Sequence, residues 1–510
     1  MEVLASTIEK KESPMNSPQR IRFASLVVVF VSVAAFMVTA LQAQDKVARV
    51  DELIGKYHAY GQFNGTVLVA EQGKVIFKKG YGEANKEWNI PNTPDTKFRL
   101  GSITKQFTAT IILQLVEQGK LKLDGTITEY LPDYPRAVGD KVTISHLLTH
   151  TSGIPGYTEM PNFGKDLSRN PFPPAEFIKV FWNLPLQFEP GTKFTYSNSG
   201  YFILGVIIEK ITSKSYAQVV AENIFKPLGM TNSGYDMPGP ILSRRAAGYQ
   251  RRGGEFVNAA YLDMTVPYAA GSLYSTVEDL YLWDQALYDT KVLTEGSKAK
   301  MFRPWIATSG LGAPSMRYAF GWVVGNQVVG ASQDSVFVIS HGGGINGFNT
   351  LITRVPDTKT LVVLLNNTGG APLGAMTESI LGILYGKPHR PVAQPLADIV
   401  RETIRTSGID AATARFNDLR TNKDLYFVSE SQMNSLGYEY LAERKLKEAI
   451  AVFKLNVEVY PKSSNVYDSL GEAYAAAGEK DLAIKNYEKS VELDPKNEGG
   501  IEALKKLKSQ

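Results

Sequence analysis

Ser102 and Lys105 stand three residues apart in Gly101-Ser102-Ile103-Thr104-Lys105. On a helix that spacing puts both side chains on one side of a turn. A lysine held beside a serine hydroxyl with a depressed pKa can take its proton, and the serine then attacks an ester or amide carbonyl. Tyr196 and Asn198, two apart in Phe194-Thr195-Tyr196-Ser197-Asn198, project from one loop. A phenol can shuttle a proton between nucleophile and leaving group, and an amide can fix the lysine and a substrate carbonyl. In Ile339-Ser340-His341-Gly342-Gly343-Gly344 the glycines let substrate lie against a strand edge, where a backbone N–H can complete an oxyanion hole. Taken alone, Ser-x-x-Lys equally fits a serine N-cap on an ordinary helix; the other two pieces favour catalysis.

The elements that must carry these groups are readable. Apolar residues recur at Phe107, Ile111, Ile112, Leu115 and Val116, so the spacing predicts a helix over 102–118 with one buried face. At its N-terminus the Ser102 N–H is free to donate to an oxyanion. Residues 65–70 and 75–79, joined at Gln72-Gly73, read as a hairpin, and 336–340, 349–355 and 360–365 read as further strands. Helical text lies between them, at 201–212, 216–224 and 277–287, and again at 372–385. Strands at both ends around a helical middle predict an α+β enzyme of residues 44–390. Its antiparallel sheet is built from N- and C-terminal strands, with a helical lobe inserted.

In this order the three pieces resemble the serine β-lactamase and penicillin-binding-protein-like superfamily, which carries Ser-x-x-Lys. Tyr-x-Asn in the middle is similar to its class C, esterase and D-peptidase branch. The resemblance covers nearly all of 50–385, including 98–108, 146–153, 189–205, 270–275 and 320–322. It implies Ser102 as nucleophile, Lys105 as its base, Tyr196 as acid/base partner and Asn198 as a substrate-orienting residue. It also sets His341 and Gly343 in the third, substrate-binding motif, with the N–H groups of Ser102 and Gly344 as oxyanion hole. That motif usually begins with lysine, whose fixed cation holds a substrate carboxylate. Histidine is largely neutral near pH 7, which favours esterase or D-residue peptidase activity over β-lactam turnover; a packing or strand-capping role for His341 is the other reading. No metal or organic cofactor is implied.

Composition narrows the field independently. The 510 residues contain no cysteine, which removes thiol nucleophiles, disulfides and thiolate metal sites. Net charge is +4 without a long basic run, so nucleic acid is not an expected partner. His146 and His150 are four apart, but Leu147 stands where a metalloprotease motif needs glutamate. His341-Gly342-Gly343-Gly344 imitates an α/β-hydrolase oxyanion loop, yet no Gly-x-Ser-x-Gly elbow occurs.

Two flanking segments complete the expected organisation. Phe23 to Ala43 carries no charge and follows Arg20 and Arg22, the layout of a secretory signal peptide over 1–43, with Met15 as an alternative start. The body is therefore expected outside the cytoplasm, in the periplasm or otherwise exported, with an uncleaved inner-membrane anchor as the alternative. At the other end Leu436/Leu470, Gly437/Gly471, Tyr440/Tyr474, Ala449/Ala483 and Pro461/Pro495 are each 34 apart, the tetratricopeptide period. Residues 391–430 read as a linker with a degenerate helix pair broken at Ser407-Gly408, and 431–510 as repeats with a capping helix. The repeats either bind a protein or peptide partner or brace the enzyme, whose own ligand is a small acyl or peptide substrate. An enzyme is the leading reading; the alternative is a non-turnover binder of penicillin or cell-wall fragments that recruits partners through the repeats.

Overall fold

The computed structural model describes residues 44–252, 254–308 and 314–509; the expected signal peptide lies outside them. The chain divides into two compact units, Met1–Glu52 and Leu53–Gln510. Of the first, residues 44–52 are described and are helical.

An eight-stranded antiparallel sheet organises the second unit. Its strands are β1 (Gly65–Glu71), β2 (Lys74–Tyr81), β3 (Ile306–Ala307), β4 (Arg317–Tyr318), β5 (Val323–Val328), β6 (Ser335–Ile345), β7 (Phe348–Val355) and β8 (Thr360–Asn366), in the spatial order β3-β4-β5-β6-β7-β8-β1-β2. Pairing of β1 with β8, Gly65 opposite Asn366, joins the first strands of the body to its last. Every residue of β8 is buried, so the sheet is covered on both faces. Leu361, Val363 and Leu365 pack into the main core, which also takes in helices α1 (Thr104–Glu117), α2 (Asn198–Thr212) and α3 (Val277–Ala286). Helix α4 (Leu373–Leu384) packs on β7 and β8.

The expected antiparallel sheet with an inserted helical lobe is what the chain forms. Two particulars differ from the sequence reading. Strand β6 does not stop at Ser340 but runs on through His341 and the glycines to Ile345, because the glycines pair with Asn349–Leu351 of β7. Helix α1 is not half-buried: Thr104 through Leu113 are all buried. Its polar side is met by partners from elsewhere. Gln106 Oε1 accepts from Trp283 Nε1 at 3.0 Å, and Thr108 Oγ1 donates to the Ala269 carbonyl at 2.7 Å.

Beyond the sheet, α5 (Leu396–Leu419) bends at Gly408, whose φ of 83° and ψ of 178° break the helix. Then come α6 (Glu430–Ala442), α7 (Leu446–Val459), α8 (Ser464–Ala476), α9 (Lys480–Leu493) and α10 (Glu498–Ser509). Gly437 and Gly471 allow each helix pair to close: a Cβ at Gly437 would lie 2.4 Å from the Phe453 ring, and one at Gly471 would lie 3.1 Å from Tyr487.

Candidate active site

Ser102 sits in a short 3-10 turn, Gly101–Ile103, that runs directly into α1. Gly101 holds φ at +56°, a conformation that costs glycine little. Lys105 follows within the first helical turn and is completely buried. Its Nζ lies 2.9 Å from Ser102 Oγ, 2.8 Å from Asn198 Oδ1 and 2.9 Å from the Ala270 carbonyl oxygen. All three partners are uncharged, and burial drives the lysine pKa well below its ordinary value. A neutral amine in this position gives its two hydrogens to Asn198 and Ala270 and turns its lone pair toward the Ser102 hydroxyl.

Asn198 opens α2, so its side chain stays at the mouth of the site while the helix behind it is buried. Its Nδ2 donates to Thr158 Oγ1 at 3.3 Å. The Lys105 amine lies 4.9 Å from the Tyr196 ring centre and 5.5 Å from that of Tyr201. Burial raises the Tyr196 phenol above its ordinary value, with a hydrogen bond involving Ser102 pulling the other way, so the phenol keeps its proton at neutral pH.

Gly344 lines the same cavity as Ser102, a space of about 120 Å³ walled by Tyr157, Phe163, Leu262 and Pro267 and without a lysine, arginine or histidine in its lining. His341 and Gly343, expected to bind substrate, are not among the residues that wall it, and neither are Lys105 and Tyr196. Gly343 is buried against the Leu100 carbonyl. His341 is 5% exposed and turned into the protein, its Nε2 3.0 Å from Tyr318 Oη. Burial, helped by the neighbouring Lys105, pushes its pKa down to about 3, so it supplies no cation to a substrate carboxylate. The physical reason is the pleat: along β6, alternate residues face opposite ways, and His341 and Gly343 share the inward side.

The family model described as Beta-lactamase matches residues 50–384. The chain belongs to this family of serine hydrolases. A tetratricopeptide repeat model matches residues 464–497. Penicillin-binding protein 4* of Bacillus subtilis (strain 168) is 32% identical over 372 residues, covering 70% of this chain and 79% of the relative. Among solved structures, the penicillin binding protein from Bacillus halodurans shares 28% identity with a TM-score of 0.57, covering 66% of this chain and 98% of that one. The D-amino acid amidase from Ochrobactrum anthropi SV3 complexed with L-phenylalanine shares 25% identity with a TM-score of 0.57, covering 67% and 99%.

Within this β-lactamase-family site several participants have no local signal in the sequence. The Ala270 carbonyl is a backbone group, and any residue type would provide it. Thr158 and Tyr157 come from a short turn, Tyr157–Glu159, whose place beside Asn198 depends on tertiary packing. His146 and His150 turn to different partners: His146 Nδ1 accepts from Thr143 N–H at 3.2 Å, whereas His150 Nδ1 accepts from Ser197 N–H at 3.1 Å.

Proposed function

We propose that this protein is an exported serine hydrolase that cleaves esters or amides through an acyl-enzyme. The observation that carries the reading is the Lys105 amine, buried, bonded only to uncharged acceptors and 2.9 Å from Ser102 Oγ. In this mechanism Ser102 Oγ bonds to the carbonyl carbon as its proton passes to Lys105. The carbonyl oxygen becomes an oxyanion received by the N–H groups of Ser102 and Gly344. Tyr196, hydrogen-bonded to Ser102, hands a proton to the departing alcohol or amine as the scissile bond breaks, and the proton held by Lys105 replaces it. Water then attacks the acyl-enzyme, gives up its proton along the reverse path, and releases the acid with Ser102 restored.

The small, cation-free cavity favours a compact acyl group with aromatic or aliphatic character. A neutral, inward-facing His341 removes the anchor that a β-lactam carboxylate would use, so esters and amides of small or D-amino acids rank above β-lactams. The similarity to a D-amino acid amidase supports the same order. The tail is proposed as a protein-contacting element, in keeping with its tetratricopeptide match.

Mass spectrometry after a fluorophosphonate, with Ser102→Ala as control, tests the nucleophile: an adduct elsewhere, or one that survives the substitution, sinks the mechanism. Turnover of p-nitrophenyl esters, D-aminoacyl anilides and a chromogenic cephalosporin tests the ranking, which fails if the cephalosporin is clearly the best substrate. A stoichiometric penicillin adduct without turnover of any of them would point instead to a binding protein.

A further inference from the structure

Behind Tyr196 two imidazoles and a phenol are strung in one line. Ser197 N–H lies 3.1 Å from His150 Nδ1, His150 Nε2 lies 3.1 Å from Tyr318 Oη, Tyr318 Oη lies 3.0 Å from His341 Nε2, and His341 Nδ1 lies 2.6 Å from the Gly342 carbonyl oxygen. The backbone at each end dictates every role between. An amide N–H can only donate, so His150 Nδ1 carries the lone pair and its proton is on Nε2. A carbonyl can only accept, so His341 Nδ1 carries the proton and its lone pair is on Nε2. Tyr318 therefore accepts from His150 and donates to His341, and the line runs one way.

We propose that Tyr318 is a positioning residue for the hydrolytic site: through this one-way line it locks the loop that holds Tyr196 to the glycine strand that bounds the oxyanion hole. His150 grips that loop on both sides of the phenol. Its carbonyl accepts from Thr195 N–H at 2.9 Å, its ring accepts from Ser197 N–H, and the same ring lies 4.2 Å from the Tyr196 ring, centre to centre. It does so from a left-handed backbone, φ +57°, a conformation held only where the surroundings over-determine it. At the far end His341 is tied into β6 two residues before Gly343. Tyr318 comes from β4, so the line links three segments that meet only in the fold.

The groups facing this line are Lys105 on α1, Tyr196 in the loop before α2, Tyr201 on α2 and Phe194. None is a carboxylate, and burial disfavours a positive charge on either imidazole. Neither histidine is thus an acid or base toward substrate; both are fixed struts. This inference rests on the serine hydrolase reading for its kinetic consequence but not for its geometry, and the two parts are tested separately.

Nitrogen-15 NMR of the histidine rings in the full chain tests the geometry without turnover. The expected result is a neutral His150 in the Nε2–H form and a neutral His341 in the Nδ1–H form, from about pH 8 to about pH 5. A His341 in the Nε2–H form, or either ring titrating with an ordinary pKa, overturns the proposal even where Tyr318→Phe fails to fold. In folded Tyr318→Phe, kcat is expected to fall on the order of 10–100-fold with KM little changed. At least one ring should also change tautomer or begin to titrate, while fluorophosphonate still labels Ser102. A kcat within twofold of the parent overturns the positioning role. Absence of any Ser102 adduct in the parent would instead remove the hydrolase reading and leave the ring assignments standing or falling on the spectra.

Discussion

The carbonyl of Leu100 occupies the space that a side chain at Gly343 would need: a Cβ there would lie 1.9 Å from the Leu100 oxygen and 2.3 Å from Thr350 Oγ1. Thr350 donates to that same carbonyl at 2.8 Å. Strand β6 is thus laid directly on the turn that carries Ser102, and Gly101 abuts Gly344 from the other side, where a Cβ would come within 3.0 Å of the Gly344 nitrogen. Gly343→Ala forces the strand off the turn and moves the Gly344 N–H away from Ser102. Loss of one oxyanion donor typically costs about 10²–10³ in kcat. A fall of that order is expected on the best ester, with overpacking lowering stability by only about 1–3 kcal/mol. Near-parental kcat in a folded Gly343→Ala protein would contradict the assignment.

Lys105 makes a prediction about stability as well as rate. Its folded pKa is depressed by burial, while the unfolded chain keeps an ordinary lysine. Between those two values the unfolded state binds the extra proton, so stability rises with pH across that window and levels off above the unfolded value near 10.4. Lys105→Met removes the penalty along with the base. The variant should lose at least about 10³-fold in kcat/KM yet melt higher than the parent near pH 7, with the gap closing toward about pH 10. Calorimetry at both pH values checks the sign; a variant that melts lower near neutrality would mean that the amine is charged in the folded protein.

Local spacing made the Ser102–Lys105 pair legible and tertiary convergence hid its supports. Ser102 and Lys105 share a helical turn, and Tyr196 and Asn198 share a loop, so their pairing could be read without a fold. Tyr318 and His150 act through each other across 168 positions of chain, and nothing near either residue announces the partner. The hairpin at Gln72-Gly73 was readable because its turn and alternation are local. Strand β5 was not: Val323–Val328 contains Gly325, Asn326 and Gln327, and it is extended because β6 pairs with it. The all-round burial of α1 escaped for a related reason. Its threonines and glutamine read as a solvent face until the Ala269 carbonyl and Trp283 arrive to satisfy them.

Arg354 and Asp284 tie β7 to α3 through an ion pair of 2.7 Å whose side chains are 2% and 0% exposed. The guanidinium also lies 4.6 Å from the Tyr288 ring centre. Asp284→Ala leaves that guanidinium buried without its counter-charge, and the expected cost is about 3–5 kcal/mol. Replacing both partners, Asp284→Leu with Arg354→Met, removes the two desolvation penalties together and should recover most of the loss. Urea midpoints of the single and double variants check this; a double variant no better than the single would mean that the pair holds the helix to the sheet through geometry that apolar side chains cannot supply.

Arg251 reaches Asp398 of α5 at 3.2 Å, and Arg401 joins Asp398 at 2.8 Å to Glu439 of α6 at 3.2 Å. These side chains are between 19% and 27% exposed, so each pair contributes about 1 kcal/mol or less. Of these, only the Arg251–Asp398 pair crosses from body to tail, so ion pairing does little to make the core around Ser102 depend on the repeats. Gly437→Val drives a side chain into the Phe453 ring, with the Cβ already within 2.4 Å, and should destabilise the tail by about 1–3 kcal/mol or more. The expected outcome is an earlier melting transition for the repeats, with kcat and KM for a small ester unchanged within about twofold, as for sites with no shared partners. If the variant instead loses activity in step with tail unfolding, the repeats brace the enzyme, and the weak polar junction understates how the two parts are coupled.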